Sequence, residues 1–137
     1  MYLGFDNGFI IKDIFGDEDV FTGAEIDNIN YRPLSGRMTM DVLTKCDLNN
    51  PPKKWSSWDY ICLKLELFAI KEFKIKIHCE PLFVDVFSIN KELDKYVLEI
   101  IEKDKCSILC KFGIARIHNI IPMKYNSELK IYERAVT

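Results

Sequence analysis

The sequence has few of the residues on which catalysis usually depends. It contains only two histidines, His78 and His118, and each lies in a strand-like segment apart from any nucleophile motif. Nucleophilic catalysis needs a serine or cysteine beside a histidine base that a carboxylate orients. The six glycines are scattered, so no glycine-rich loop is present to cradle a phosphate. The sequence therefore predicts neither an enzyme nor a bound cofactor.

Long apolar runs are also missing. None approaches the roughly 20 residues that a helix needs to cross a bilayer. The first residues, "MYLGFDNGFIIKDIFGDED", lack a basic start and carry acids through their apolar part, unlike a secretory signal peptide. No polar low-complexity tract appears, and 48% of the residues are hydrophobic. We expect a single cytoplasmic domain over residues 1–137, with no membrane partner.

The cysteines do not form a metal or disulfide pattern. Their number is odd, and only one pair is close in sequence; they stand at Cys46, Cys62, Cys79, Cys106 and Cys110. A zinc site would need paired close spacings together with histidines. We expect buried, reduced thiols and no metal.

Charge is unevenly distributed along the chain. Residues 1–52 hold nine acidic and four basic side chains, whereas residues 53–137 hold twelve acidic and fifteen basic ones. A nucleic-acid-binding protein would need a concentrated basic face, which is not evident here. An acidic N-terminal part instead favours a partner that is itself basic.

The dominant pattern is alternation with period two. In "RMTMDVLTK" Met38, Met40 and Val42 share one side, and in "DYICLKLELF" the leucines face away from Lys64 and Glu66. Similar runs continue to about residue 121, separated by short polar breaks. Such alternation is typical of strands with one solvated face, and short breaks favour antiparallel neighbours.

These patterns predict a mainly β fold, an antiparallel meander of about seven or eight strands. It would form a strongly bent sheet or a two-layer sandwich, and the pattern leaves the strand order and the oligomeric state open. Helix is scarce: "GFIIKDIFG" (8–16) has the spacing of one or two helical turns ending at Gly16, and "NKELDKY" is compatible with a single turn.

The stretch "DEDVFTGAEID" contains five carboxylates and no base: Asp17, Glu18, Asp19, Glu25 and Asp27. Three interpretations are open, namely a solvated face, a partner surface, or a metal or acid/base site. The stretch lacks the order of a calcium loop, and the first three side chains diverge. Glu25 and Asp27 would stand about 7 Å apart on one face of a strand.

The loop "PPKKWSSWDY" carries Trp55 and Trp58 beside two lysines. Tryptophan next to lysine is found on nucleic-acid stacking platforms. No other basic support surrounds this loop, so we expect the indoles to cap one end of the β core.

The order of several short motifs resembles a known family. Phe-x-x-Ala-Glu-Ile, here Phe21, Ala24, Glu25 and Ile26, follows the short helix and precedes "PPKKW" and a strand that ends in "LELF". This order, over roughly residues 15–120, resembles the immunity protein 50 family, small cytosolic proteins encoded beside polymorphic bacterial toxins. The family motif usually reads Phe-His-Asp-Ala-Glu, so the Thr22 and Gly23 found here carry over no role of that His-Asp pair.

The resemblance implies a β-rich protein without catalysis that binds and blocks one cognate toxin, often a basic nuclease. An acidic surface would speed association with such a partner. We therefore expect the partner-binding residues to be Asp17, Glu18, Asp19, Phe21, Glu25, Asp27 and Tyr31, with the aromatic residues as anchors. The alternatives are a small β-sandwich ligand-binding module, or a metal-dependent hydrolase that uses the 17–27 carboxylates.

Overall fold

The structure is a computed structural model that describes residues 4–45, 48, 51–55, 57–78 and 80–135. These residues form one short helix and ten strands, a mainly β fold as the sequence predicts. Cys46 and Cys79 lie outside the described residues. The other three cysteines, Cys62, Cys106 and Cys110, are free and buried.

The helix α1 spans Phe9–Phe15. Ile11 and Phe15, one turn apart, are buried and attach one face of the helix to the core. The helix ends at Gly16, whose φ of 70° favours glycine and whose amide donates to the Lys12 carbonyl at 2.8 Å. The predicted helix end at Gly16 is confirmed.

The strands divide into a six-stranded and a four-stranded sheet, and every pairing is antiparallel. The first has the order β10-β9-β3-β2-β1-β5, and the second has the order β4-β8-β7-β6. The strand bounds are β1 Glu25–Arg32, β2 Arg37–Thr44, β3 Tyr60–Phe68, β4 Glu72–Lys76, β5 Leu82–Phe83, β6 Val86–Glu92, β7 Lys95–Glu102, β8 Cys106–Phe112, β9 Ile114–Asn126 and β10 Ile131–Arg134.

The structure has ten strands, whereas the sequence predicts about seven or eight. Two short strands, β5 and β10, account for most of the difference. The run "LFVDVFSI" divides because the chain changes sheets within it. The Val84 amide donates to the Ala24 carbonyl beside β1, whereas the Asp85 amide donates to the Ile101 carbonyl on β7. The run therefore forms β5 in one sheet and β6 in the other. The C-terminal tail supplies β10.

The chain also passes between the sheets at a tight corner. After β3, Ala69 has a φ of 55°, and it lies against Gly113, which separates β8 from β9. A Cβ at Gly113 would stand 3.0 Å from the Ala69 Cβ, so glycine allows the two crossings to run side by side. The Gly113 amide donates to the Phe68 carbonyl at 3.0 Å.

The predicted alternation correctly identifies the core-facing side chains of β2 and β3. Met38, Met40 and Val42 are fully buried, as are the alternating leucines of β3. They pack with Leu98, Ile100, Ile108, Cys110 and Phe112 of the second sheet and with α1 in one hydrophobic core.

The six-stranded sheet is strongly curled. The Tyr132 hydroxyl on β10 donates to the Glu25 carboxylate on β1 at 3.0 Å, although three strands separate β10 from β1. In a flat sheet these strands would lie about 19 Å apart. Leu43 and Cys62, on the face opposite Met40 and Leu63, are also nearly inaccessible.

Trp55 and Trp58 meet edge to face with ring centroids 5.4 Å apart. Both are partly buried and pack against the core, which is the capping role that the sequence predicts.

Candidate functional site

The fold divides the acidic stretch 17–27 between two clefts. Asp17, Glu18 and Asp19 lie in the loop between α1 and β1, at a cleft of about 530 Å³ that also contacts Phe87–Ile89 of β6. Glu25 and Asp27 begin β1 and line a second cleft of about 610 Å³. We call these the loop cleft and the edge cleft. The seven predicted binding residues are therefore distributed over two clefts.

Asp19 organises the loop cleft. Its carboxylate accepts the Thr22 hydroxyl at 2.6 Å and the amides of Phe21 and Thr22 at 3.1 Å each. The hydrogen bonds from Thr22 hold the pKa of Asp19 below its ordinary value. Asp17 and Glu18 are exposed at the rim, so they can present charge to a partner while Asp19 fixes the turn.

Phe21 forms part of the support beneath this loop. It is only 5% exposed, and its ring stacks on Phe87 with centroids 3.8 Å apart. Phe5 stacks on both rings from further away. In this structure Phe21 contributes packing, and a partner would reach it only if the loop moved.

The edge cleft lies between the margins of the two sheets. β1 forms one wall, and β4 with the connection to β5 forms the other. Tyr31 on β1 meets Phe73 on β4 edge to face, with centroids 5.0 Å apart. The lining residues are Glu25, Ile26, Asp27, Ile29, Tyr31, Phe73, Ile75, Ile77, His78, Glu80, Pro81, Leu82 and Lys130.

The two predicted acids of β1 occupy this cleft together. The register of β1 against β2 shifts between Ile26 and Asn28, so Asp27 is the extra residue of a bulge. The predicted spacing of Glu25 and Asp27 assumed a regular strand, and the bulge interrupts that regularity. Both carboxylates line the cleft, where Glu80 adds a third.

Partial burial makes these two carboxylates harder to ionise. Burial raises the pKa of Glu25; the hydrogen bond from Tyr132 partly offsets this, and the charge of Asp27 adds to it. Burial and the charge of Asp41 raise the pKa of Asp27. The ionised pair is therefore less well stabilised here than in water, and a bound cation would relieve that cost.

This electrostatic cost predicts that neutralising the pair stabilises the free protein. A folded-state pKa above the unfolded value means that stability is lost as pH rises through the folded pKa. We expect Glu25→Gln/Asp27→Asn to unfold at a higher temperature than the parent at pH 7. Because both side chains are partly solvated and therefore screened, the gain should be only ~0.5 kcal/mol, or about 2 °C.

The check is thermal unfolding across pH. The gain should shrink as pH falls and disappear below about pH 3, where both carboxyl groups are largely protonated in the folded and the unfolded state. If the parent protein were more stable than the variant at neutral pH, the ionised pair would not destabilise the free protein, which would contradict this prediction.

Apolar side chains complete the edge cleft. Ile75 and Ile77 are 43% and 55% exposed, and Tyr31 is 37% exposed. Together with Phe73 they place an uncovered apolar wall next to three carboxylates. An anchor surface with a charged rim is the composition expected of a protein-binding site.

Sequence reasoning missed a buried carboxylate with two exposed partners on the outer face of the curled sheet. Glu66 was expected on a solvated face, but it is only 3% exposed. Its carboxylate pairs with Arg37, and its other oxygen lies 2.6 Å from His118 Nδ1. The expectation was wrong because β2 and β9 flank Glu66 and cover it with these two long side chains. No local signal in the sequence marks this burial.

Among the described residues, no group of three or more histidine, cysteine, aspartate or glutamate side chains is placed to hold a metal ion. Burial raises the pKa of Cys62 and of Cys110 to about 12, so both thiols stay protonated near neutral pH. The only helix in the described part of the chain, α1, is too short to cross a membrane.

Comparison with known proteins gives one match. The family model for immunity protein 50 matches residues 7–123, from just before α1 into β9. Comparisons with curated proteins and with solved structures found no match. The matched region contains Phe21, Ala24, Glu25 and Ile26, the motif that carries the resemblance. Because the match spans most of the sequence, the chain belongs to the immunity protein 50 family.

Proposed function

We propose that this protein binds and neutralises a cognate toxin domain in the bacterial cytoplasm, as part of a contact-dependent or related toxin system. It acts by occlusion and makes or breaks no bond. The toxin domain is basic and resembles a nuclease in its charge. The acidic surface of the immunity protein meets the positive site that the toxin would otherwise offer to phosphates.

The edge cleft is the observation that carries this proposal. It combines three carboxylates, two of them with raised pKa values, with apolar side chains that no other described residue covers. A lysine or arginine that replaces water beside such a carboxylate stabilises its ionised form. The apolar wall supplies the desolvated contacts that a tight complex requires.

The loop cleft extends the acidic surface. Asp17 and Glu18 are solvated, so their contribution would be to steer the partner during approach. Buried contacts chiefly set how long a complex lasts, whereas exposed charges chiefly set how fast it forms. We therefore propose that contacts in the edge cleft set the lifetime of the complex, and that the charges of both clefts speed its formation.

Production together with the toxin domain encoded by the adjacent reading frame tests this function. We expect this protein to protect the producing cells and to co-purify with the toxin domain. The association rate should fall by about tenfold or more between low and physiological salt, because the attraction between exposed charges is screened. Cells that die despite production of the folded protein would contradict the function. A stable complex whose formation ignores salt would contradict the electrostatic mechanism alone.

A further inference from the structure

The edge cleft exposes an unpaired strand margin. β1 has eight residues, but β5 pairs only with Glu25 and Ile26. Beyond Ile26, no described strand pairs with this side of β1, so residues 27–32 form an open edge about 20 Å long. An open edge presents backbone donors and acceptors that another extended segment can satisfy.

This edge lacks the usual protection against pairing at its centre. The residues Asn28–Tyr31, "NINY", carry no charge and no proline. The facing edge strand β4 differs, because Lys74 and Lys76 stand exposed on it. Lysines on an edge strand are a common way of preventing pairing. Of the two margins at this cleft, β1 is thus the one open to a new strand.

The surroundings define what such a strand would carry. One face of an added strand would meet Ile29 and Tyr31 of β1 and Ile75 of β4, which favours apolar side chains at alternate positions. The end of the edge cleft beside β5 contains three acidic side chains, Glu25, Asp27 and Glu80. The basic side chains that line the cleft are Lys130 and His78. Three carboxylates there favour lysine or arginine in the partner.

We propose that the β1 edge binds an extended segment of the toxin partner, which pairs with residues 27–32 and continues the row that β5 begins. The segment alternates apolar residues, facing into the cleft, with polar ones, and it places a basic side chain among Glu25, Asp27 and Glu80. This inference rests on the proposed function and specifies how the partner docks.

A protruding segment fits this site better than a second copy of the chain does. The edge cleft is concave, with a volume of about 610 Å³. Two copies that met through their clefts would leave both cavities unfilled and bring their carboxylates closer together. A basic strand from the partner fills the space and pairs with the charges.

Hydrogen exchange on the complex with the neighbouring toxin domain tests this inference without any substitution. We expect amides in residues 27–32 to exchange at least tenfold more slowly in the complex than in the free protein. A complex in which these amides exchange as in the free protein would overturn strand addition while leaving the proposed function intact. If exchange at these amides slows as the concentration of the protein is raised without the toxin domain, the edge mediates self-association. That result would also overturn strand addition by the partner.

A side-chain substitution gives an independent readout. Tyr31→Lys places a charge on the apolar wall and should weaken the complex by about tenfold or more. Leu93→Lys is the matched control, because Leu93 is 90% exposed in the β6–β7 turn, away from the cleft. Thermal unfolding confirms that both variants fold. Equal affinities for folded Tyr31→Lys and Leu93→Lys would reject the edge cleft as the docking site.

Discussion

Reversing the two carboxylates of β1 should slow association with the toxin domain by about 10- to 100-fold at low salt. The variant is Glu25→Lys/Asp27→Lys. These side chains line the edge cleft, so the change places two positive charges where the proposed basic partner would dock. Stopped-flow association at two ionic strengths measures the effect, which should diminish as salt is added.

A control separates local charge from total charge. Asp13→Lys/Glu99→Lys changes the net charge equally, but Asp13 lies on α1 and Glu99 on β7, and neither lines either acidic cleft. This control should slow association much less than the β1 reversal. If both variants slow association similarly, the net charge of the protein sets the association rate, and the position of the charges in the edge cleft does not.

The same assay compares the two halves of the acidic stretch. Asp17→Lys/Glu18→Lys leaves Asp19 and its hydrogen bonds to the turn unchanged. If the loop cleft only steers, this variant should slow association without shortening the lifetime of the complex. A shortened lifetime would instead place Asp17 or Glu18 within the interface.

Removing both partners of Glu66 should destabilise the fold by about 3 kcal/mol, lowering the melting temperature by about 10 °C. In Arg37→Leu/His118→Leu apolar side chains still cover the carboxylate, which stays buried without the guanidinium and the imidazole that contact it. An uncompensated buried charge costs far more than an exposed one. Chemical denaturation of the parent and the variant gives the difference in the free energy of unfolding.

A third substitution distinguishes lost charge balance from lost packing. Adding Glu66→Met to the double variant removes the unpaired charge and leaves an apolar side chain of similar length. Most of the lost stability should return, because replacing a whole buried ion pair with apolar groups is often close to neutral. A triple variant no more stable than the double one would mean that Arg37 and His118 act by covering the sheet.

Local patterns in the sequence predicted the local structure well. Alternation on β2 and β3 identified the core side chains Met38, Met40 and Val42 and the leucines, because one side of a strand must face the core. The glycine after the helical run marked the end of α1, since a left-handed conformation favours glycine there. Both signals depend on residues within a few positions of one another.

Long-range geometry was beyond the same reasoning. The hydrogen bond between Tyr132 and Glu25 joins residues 107 positions apart, and it depends on the curl of a six-stranded sheet. The burial of Glu66 depends on Arg37 and on His118, on two other strands. Alternation assigned Glu66 to a polar face, but it contained no information on what lies over that face.

The candidate site shows the same division. Composition drew attention to residues 17–27, but the fold separates Asp17, Glu18 and Asp19 from Glu25 and Asp27. The other wall of the edge cleft, with Ile75, Ile77 and Glu80, comes from a segment about 50 residues later. Only the sheet topology brings β4 and β1 to the same margin.

Titration of the neighbouring toxin domain with this protein tests the central claim most directly. Occlusion predicts that toxin activity falls in proportion to the amount added, reaches zero near an equimolar ratio, and does not change further on longer incubation. Inactivation that continues with time at a small fraction of that ratio would show turnover, and would contradict a protein that acts only by binding.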